Sequence, residues 1–306
     1  MKRVEDIRVS GKTEIRELLK LYEKMGGFVA KKLADAFQIM ERILDFPIRI
    51  ISFPACLVAT GLRGVIRDAI RDGIFNLIFT TCGTLDHDLA RSFKPYYHGD
   101  FLADDRELRK RGISRLGNVF VPDSSYGEVI EEKLQPLLEE LYSRKRDWAG
   151  YEFCWELGKT LPQDSILYWA WKKQVPVIVP GITDGAVGFQ VSLFRQDRAD
   201  FRIDPWLDES LLLSRMLGRE KKGALILGGG ISKHHVIWWS QFSGGLDAAV
   251  YITTAVEWDG SLSGARTREA VSWGKISPKA RHLTVEGDAT VLLPILLAPF
   301  LNRKGK

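Results

Sequence analysis

Apolar residues at the start of the chain recur at spacings of three and four, which is the period of one helix face. Between Thr13 and Leu44 the repeat begins with Ile15, Leu18, Leu19, Tyr22 and Met25. Glycine weakens a helix interior, so the pair Gly26 and Gly27 marks an interruption. The pattern predicts a helical N-terminal extension over residues 1–46.

Further along, short and continuously apolar segments alternate with helical patterns. They occur in "IRIISFPACLVATGLRGVIRDAI", "FNLIFTTCGTLDHDLARSF", "VPVIVPGITDGAVG", "GALILGGGISKHHVIWWSQF" and "AAVYITTAVEWDGS". Strands that are apolar throughout are buried on both faces, and their alternation with helices is typical of a parallel sheet. The sequence therefore predicts a Rossmann-like, doubly wound α/β fold with a mostly parallel sheet and helices on both faces. Since no linker or repeat divides the chain, we expect one domain over residues 1–306.

Glycine, hydroxyl and carboxylate side chains gather at the ends of the predicted strands. They lie at Thr80-Thr81-Cys82-Gly83, Thr183-Asp184-Gly185, Gly228-Gly229-Gly230, Thr253 to Asp259 and Gly287-Asp288-Ala289. Ligands of parallel sheets bind beyond the carboxyl ends of the strands, where helix starts offer free N–H groups to phosphate. A bound dinucleotide is one expectation. The alternative is a tight turn without a ligand, because "GGGISKHH" has Lys233 where the dinucleotide fingerprint has its third glycine.

Composition narrows the class of protein. The net charge is +5, from 44 Lys and Arg against 39 Asp and Glu, and the basic residues are spread along the chain. These charges therefore indicate an ordinary solvated surface rather than a surface that binds nucleic acid. The three cysteines and five histidines show no disulfide or metal spacing, so we expect no metal site. Neither a signal peptide nor an apolar run of about 18 residues is found, which favours a cytoplasmic protein with no membrane contact.

Two residues could carry chemistry. A helix N-terminus disfavours the charged imidazolium, so His234 at a predicted helix start could serve as a neutral base. Lys275, in "EAVSWGKIS", is a surface charge by default and a covalent catalyst as the alternative, since a desolvated lysine can act as a nucleophile.

The sequence around these residues resembles the deoxyhypusine synthase family, in its archaeal branch. The similarity lies in "VYITTAVEWDGSLSGARTREAVSWGKI", preceded by "LGGGISKHH", and in "TTCGTLDHDLAR", "LRKRGISRLGNVFVP", "ILYWA" and "PGITDGAVG". It runs from about Pro47 to Pro294. The resemblance implies an NAD-dependent enzyme that moves the 4-aminobutyl group of spermidine to one lysine of a translation factor 5A precursor. It also implies an imine on an enzyme lysine and a homotetramer.

The family pattern also assigns site residues. The catalytic pair is Lys275 and His234. The residues implied in substrate binding are Asp86, Gly260, Ser261, Glu269 and Trp273. Those implied in NAD binding are Thr81, Gly83, Asp184, Gly229, Thr254, Ala255, Asp288 and Ala289.

Four positions depart from the family pattern of polar residues along the polyamine tunnel: Phe189, Leu262, His87 and Trp238. A charged hydrogen bond in a dry tunnel is worth about 1.5 to 3 kcal/mol, so spermidine would bind weakly unless other acids replace the lost ones. Candidates are Asp86, Asp88 and Glu257. Two alternatives therefore stay open: an aminobutyl transferase with another amine donor or acceptor, as in homospermidine formation, and a non-catalytic NAD-binding paralogue.

Overall fold

The structure is a computed structural model that describes residues 1–302. The α-helices are α1 (Ile15–Met25), α2 (Phe28–Ile43), α3 (Ala55–Val58), α4 (Leu62–Arg71), α5 (Cys82–Phe93), α6 (Asp105–Lys110), α7 (Gly127–Arg144), α8 (Gly150–Lys159), α9 (Ile166–Lys172), α10 (Ala186–Phe194), α11 (Pro205–Met216), α12 (Gly230–Gln241), α13 (Thr267–Ser272) and α14 (Ala289–Leu297). The strands are β1 (Ile48–Ser52), β2 (Leu77–Phe79), β3 (Tyr97–His98), β4 (Ile113–Leu116), β5 (Val119–Pro122), β6 (Asp147–Ala149), β7 (Val177–Ile178), β8 (Arg202–Asp204), β9 (Lys222–Leu227), β10 (Leu246–Thr253) and β11 (Ile276–Glu286). Short 3-10 turns lie at Asp123–Ser125, Glu257–Asp259 and Ala298–Phe300.

The chain divides into two compact units. The first consists of Met1–Phe53, Asp72–Phe79 and the residues from Leu212 onward, and the second of Pro54–Arg71 and Thr80–Leu211. Each unit therefore combines segments that are distant in the sequence. The expectation of one domain over the whole chain stays a prediction.

The first unit contains a parallel sheet with the strand order β11-β10-β9-β1-β2. Its central strands are fully buried, as Ile50, Leu225 and Val250 illustrate. Counted along the chain, the order is that of a doubly wound fold whose direction of winding reverses between β1 and β9. The predicted α/β fold with a mostly parallel sheet is confirmed.

Helices cover this sheet. Helix α2 contacts β9, β10 and β11, and α12 contacts β1, β2, β9, β10 and β11. A Cβ atom on Gly223 of β9 would lie 2.6 Å from Ile43, so glycine allows α2 to approach the sheet closely. The predicted interruption is also confirmed, because Gly26 has the left-handed φ of 69° and ends α1 before α2 begins.

The second unit contains most of the remaining helices and two small sheets. Strands β3, β5 and β4 form an antiparallel sheet, and β6 pairs with β8 in parallel. The β4–β5 hairpin was not among the predicted elements. Its signal was present, since Gly117 and Asn118 separate the alternating segment Ile113–Leu116 from the apolar segment Val119–Pro122, and Gly117 has a φ of 60°. Within residues 1–302, no helix combines the length and apolar character that crossing a membrane requires.

Candidate active site

Lys275 lines a cavity of about 180 Å³ in the first unit. The lining residues are Lys233, Ile237, Tyr251, Leu262, Ala265, Arg266, Glu269, Ala270, Trp273 and Lys275. Lys275 follows Gly274, whose φ of 69° turns the chain out of α13, and it directly precedes β11. Its Nζ lies 4.9 Å from the centre of the Trp273 ring. The Lys275 ammonium therefore contacts the Trp273 ring at the wall of the cavity.

His234 lies close enough to Lys275 for their charges to interact. The His234 side chain is exposed, but partial desolvation of its ring, and then the positive charge of Lys275, lower its pKa below the usual value. The imidazole is stacked on the Trp238 ring, with the ring centres 5.9 Å apart and an angle of 20° between the planes. A lowered pKa keeps the imidazole neutral near pH 7, which is the form that accepts a proton.

Glu269 supplies the carboxylate of the cavity, and its charge acts on Lys233 and Tyr251. Three cationic side chains share the wall with it: Lys233, Arg266 and Lys275. The Tyr251 Oη and Arg266 Nη1 atoms are buried, and no residue within 1–302 gives them a hydrogen-bond partner. Buried polar atoms without partners are costly, so both are candidates to contact a bound molecule.

Sequence reasoning missed Lys233, Tyr251 and Arg266. Tyr251 lies inside an apolar strand and Arg266 in a loop, where no motif marks them. Lys233 gave a weak signal, because it lies four residues before the apolar Ile237 and so shares its buried helix face.

The cofactor residues predicted in the first unit follow three adjacent strands. Gly229 precedes α12 after β9, Thr254 and Ala255 follow β10, and Asp288 and Ala289 follow β11. Two backbone hydrogen bonds join the strand ends, from Gly228 N to Ile252 O at 2.8 Å and from Gly287 N to Thr253 O at 2.9 Å. The structure therefore brings these five predicted residues to one edge of the sheet.

This edge has features that fit a dinucleotide. Helix α12 is 12 residues long and starts at the carboxyl end of β9. A Cβ atom on Gly230 would meet nothing within 4 Å, whereas the preceding Gly229 packs against Ser263, so the helix N-terminus is open to an anion on its Gly230 side. Asp288 is exposed, and its Oδ1 caps α14 by accepting a hydrogen bond from Thr290 N at 2.8 Å. An exposed carboxylate at this position suits ribose hydroxyls.

The second unit holds the other predicted residues around the start of α5. Thr81 precedes α5, Gly83 lies in its first turn and Asp86 in its second. The Asp86 carboxylate accepts hydrogen bonds from Tyr126 Oη at 2.7 Å, Ala186 N at 2.9 Å and Val187 N at 2.8 Å. Asp86 therefore caps α10, and burial raises its pKa, with a smaller contribution from the charge of Asp184.

Gly260 and Ser261 follow the turn Glu257–Asp259 and are exposed. Gly260 has a φ of 73°, and the Asp259 carboxylate accepts a hydrogen bond from Ser261 N at 2.7 Å. The roles of all these predicted residues stay predictions.

The proposed replacement acids have other partners. Asp88 is fully buried, where it accepts hydrogen bonds from Arg63 Nε at 2.6 Å and from Ser165 Oγ at 2.7 Å. Glu257 pairs with Arg268. His87 is hydrogen-bonded through Nδ1 to Tyr96 Oη at 2.9 Å, and burial lowers its pKa to about 4. Neither Asp88 nor Glu257 is therefore a free carboxylate for a protonated amine, and Asp86, the third candidate, already accepts three hydrogen bonds.

The parallel sheet, the glycine turns at its carboxyl edge and the lysine-lined cavity define the class of protein, a Rossmann-like α/β enzyme with a candidate lysine nucleophile. The chain belongs to the deoxyhypusine synthase family, whose sequence model matches residues 17–300.

Similar proteins agree with this assignment. A Picrophilus torridus protein named "Probable deoxyhypusine synthase" is 50% identical over 301 residues, which cover 98% of this chain and 97% of that protein. An Ignicoccus hospitalis protein with the same name is 50% identical over 310 residues, covering 99% and 97%. A crystal structure from Entamoeba histolytica, attributed to the same family, has a TM-score of 0.67 at 17% identity and covers 96% of both chains. At that identity the crystal structure supports the fold alone. The relatives confirm the resemblance seen in the sequence and the classification as a deoxyhypusine synthase.

Proposed function

We propose that this enzyme uses NAD to transfer the 4-aminobutyl group of spermidine to one lysine of a translation factor 5A precursor. The observation that carries the proposal is the position of Lys275, in a cavity wall beside Trp273 and within electrostatic reach of His234. Translation factors act in the cytoplasm, so we expect the enzyme there.

Lys275 is the proposed carrier. Its uncharged amine attacks the oxidised donor, 1,3-diaminopropane leaves, and the butylamine remains on Nζ as an imine. The neutral His234 takes up the proton that the amine releases. The acceptor lysine then displaces Lys275, which returns to its free form.

The other proposed residues orient and shield the donor. Glu269 holds a cationic end of the amine by a charge-assisted hydrogen bond, and Trp273 forms an apolar wall that excludes water. Gly260 and Ser261 are proposed to complete the donor site in the first unit, and the family resemblance also assigns Asp86 to substrate binding.

Bound NAD would supply the hydride acceptor and, at the end of the cycle, the hydride donor. The residues proposed to hold it are Thr81, Gly83, Asp184, Gly229, Thr254, Ala255, Asp288 and Ala289. The N-terminus of α12, which is open at Gly230, suits its phosphates, and Asp288 suits a ribose.

A second candidate is an aminobutyl transferase that uses another amine. Three cationic side chains and one carboxylate line the described cavity, and Leu262 stands at a tunnel position that is polar in the family pattern. A donor or acceptor with fewer positive charges than spermidine would suit this wall.

The test follows the label of aminobutyl-labelled spermidine, incubated with NAD, the enzyme and the precursor from the same organism. We expect label in the precursor, and a borohydride-trapped adduct that mass spectrometry assigns to Lys275. Lys275→Ala should abolish both, whereas Lys279→Ala, at an exposed lysine of β11, should leave both unchanged.

Other outcomes separate the alternatives. Label that reaches only a small amine would identify the second candidate. NAD binding with neither transfer nor adduct would contradict the proposed function. An adduct that persists in Lys275→Ala would refute the assignment of the nucleophile.

A further inference from the structure

A second lysine lies in the wall of the Lys275 cavity and is buried. Lys233, beside His234 on α12, is 1% exposed. Its Nζ donates hydrogen bonds to Leu262 O at 2.6 Å and to Ala265 O at 2.7 Å, and lies 4.3 Å from the centre of the Tyr251 ring. Burying an ammonium group is costly unless its donors are satisfied, and here two backbone carbonyls and an aromatic face satisfy them.

The two carbonyls belong to the chain segment between β10 and α13. Residues 259–266, named the 259–266 segment below, include the proposed donor-site residues Gly260 and Ser261. Three of its residues, Leu262, Ala265 and Arg266, line the cavity of Lys275. The position of this segment therefore determines the shape of one cavity wall.

Helix α12 holds the 259–266 segment at two points. One is the pair of hydrogen bonds from Lys233. The other is Gly229, where a Cβ atom would lie 2.2 Å from Ser263 Oγ and 2.4 Å from Ser263 Cα. Gly229 and Lys233 are four residues apart, so they lie on one face of the first turn. The close contact at Gly229 contributes no charge, so the directional part of the attachment comes from Lys233.

The charges around Lys233 come from the same wall. Burial lowers its pKa to about 8, the Glu269 carboxylate opposes this effect, and the Arg266 cation adds to it. Arg266 is the last residue of the 259–266 segment, Glu269 follows it on α13, and both line the cavity. Removing the Lys233 charge would therefore change both the attachment of the segment and the balance of charge beside the donor site.

We propose that Lys233 is a positioning residue, whose ammonium holds the 259–266 segment against α12 and so shapes the donor-binding wall of the Lys275 cavity. This proposal rests on the proposed aminobutyl transfer. Lys233 acts on donor binding through the segment, and the covalent step on Lys275 proceeds without it.

The chain offers a matched control. Lys222, at the start of β9 in the same unit, is also 1% exposed, and its Nζ also donates to two backbone carbonyls, Gly218 O at 3.3 Å and Glu220 O at 3.0 Å. Lys222 does not line the Lys275 cavity. Lys222→Met removes a buried, carbonyl-bound charge as Lys233→Met does, and so isolates the effect of position.

The experiment compares wild type, Lys233→Met, Lys233→Arg and Lys222→Met. We expect Lys233→Met to raise the KM for spermidine by about tenfold or more, the equivalent of one lost charged hydrogen bond, with little change in kcat. Lys233→Arg should recover part of this loss, because a guanidinium can donate to both carbonyls. Lys222→Met should leave the KM unchanged.

Hydrogen–deuterium exchange of the 259–266 segment tests the proposal without any turnover. Exchange there should rise in Lys233→Met and stay at the wild-type level in Lys222→Met. If wild type fails to transfer the aminobutyl group, the proposed function fails, and the exchange result still decides whether Lys233 holds the segment.

Three results would overturn the inference. One is unchanged exchange in Lys233→Met. Another is faster exchange with a wild-type KM, which would separate the segment from donor binding. The third is an equal rise in KM in Lys222→Met, which would assign the effect to general destabilisation.

Discussion

At the scale of one residue, burial can change what a carboxyl group contributes to the stability of the fold. Asp208 in the second unit is an example. Asp208 is 5% exposed and accepts a hydrogen bond from Tyr151 N at 2.9 Å, at the start of α8. Burial raises its pKa from 3.8 to about 7, an effect that this backbone hydrogen bond only partly offsets. The carboxyl group therefore caps the start of α8 with a hydrogen bond, but its ionised form destabilises the folded protein because the charge is buried.

The stability of the protein should therefore depend on the protonation of Asp208. Its folded-state pKa is raised, so its contribution to the free energy of unfolding is fully present below about pH 4 and is lost as the pH rises to about 7. Asp208→Asn keeps an accepting oxygen without the charge. Relative to wild type, it should gain on the order of 2 to 4 kcal/mol in the free energy of unfolding between about pH 4 and about pH 8.

Urea unfolding of both proteins at the two pH values measures this gain. Asp197→Asn, at an exposed carboxylate of the same unit, is the control and should show no comparable gain. A difference between Asp208→Asn and wild type that stays constant with pH would contradict the prediction.

At the scale of elements, the junction of α5 with α10 depends on one glycine. The Asp86 carboxylate of α5 caps the first N–H groups of α10, and Gly185 lies between them. A Cβ atom on Gly185 would lie 2.7 Å from Asp86 Oδ2 and 2.8 Å from Cys82 Sγ. The backbone at Gly185 is extended, so space and not φ requires glycine here.

Gly185→Ala should therefore separate α5 from α10 and lower the free energy of unfolding by about 1 to 3 kcal/mol, as overpacking does. The matched control is Gly127→Ala at the start of α7, where a Cβ atom would meet nothing within 4 Å and no loss is expected. Urea unfolding of the two variants measures the difference. Equal stabilities would show that the contact at Gly185 relaxes without cost.

At the scale of the whole molecule, the first unit exposes several large aromatic side chains. They include Trp238 on α12 and Phe242 directly after it, together with Trp258 and Trp273. Exposed aromatic residues are enriched in the surfaces that proteins bury on association. The resemblance to the family also implies a homotetramer.

We therefore expect light scattering to give four times the mass of the chain at working concentration. The activity per chain should fall on dilution if assembly completes the site. A monomer that retains full activity would contradict the tetramer. If the tetramer does not dissociate on dilution, its activity per chain should stay constant. That result would agree with the predicted tetramer and would show that its interfaces hold at the lowest concentration used.

The sequence determined the local features. Helix and strand periods predicted the α1–α2 interruption and the alternation around β1, β9 and β10, because period and turn residues act over a few neighbouring positions. The segment "EAVSWGKIS" placed Glu269, Trp273 and Lys275 together for the same reason, since it spans a single helix end and turn.

Only the tertiary structure decided which distant residues meet. In the folded chain Lys233 is hydrogen-bonded to Leu262 and Ala265, which lie far from it in the sequence. Asp88, which the sequence offered as a partner for an amine, is instead hydrogen-bonded to Arg63 and Ser165. These outcomes depend on burial and on hydrogen-bond partners far along the chain. The type of a residue and its sequence neighbours determine neither its burial nor its distant hydrogen-bond partners, because burial and these partners arise only when the chain packs.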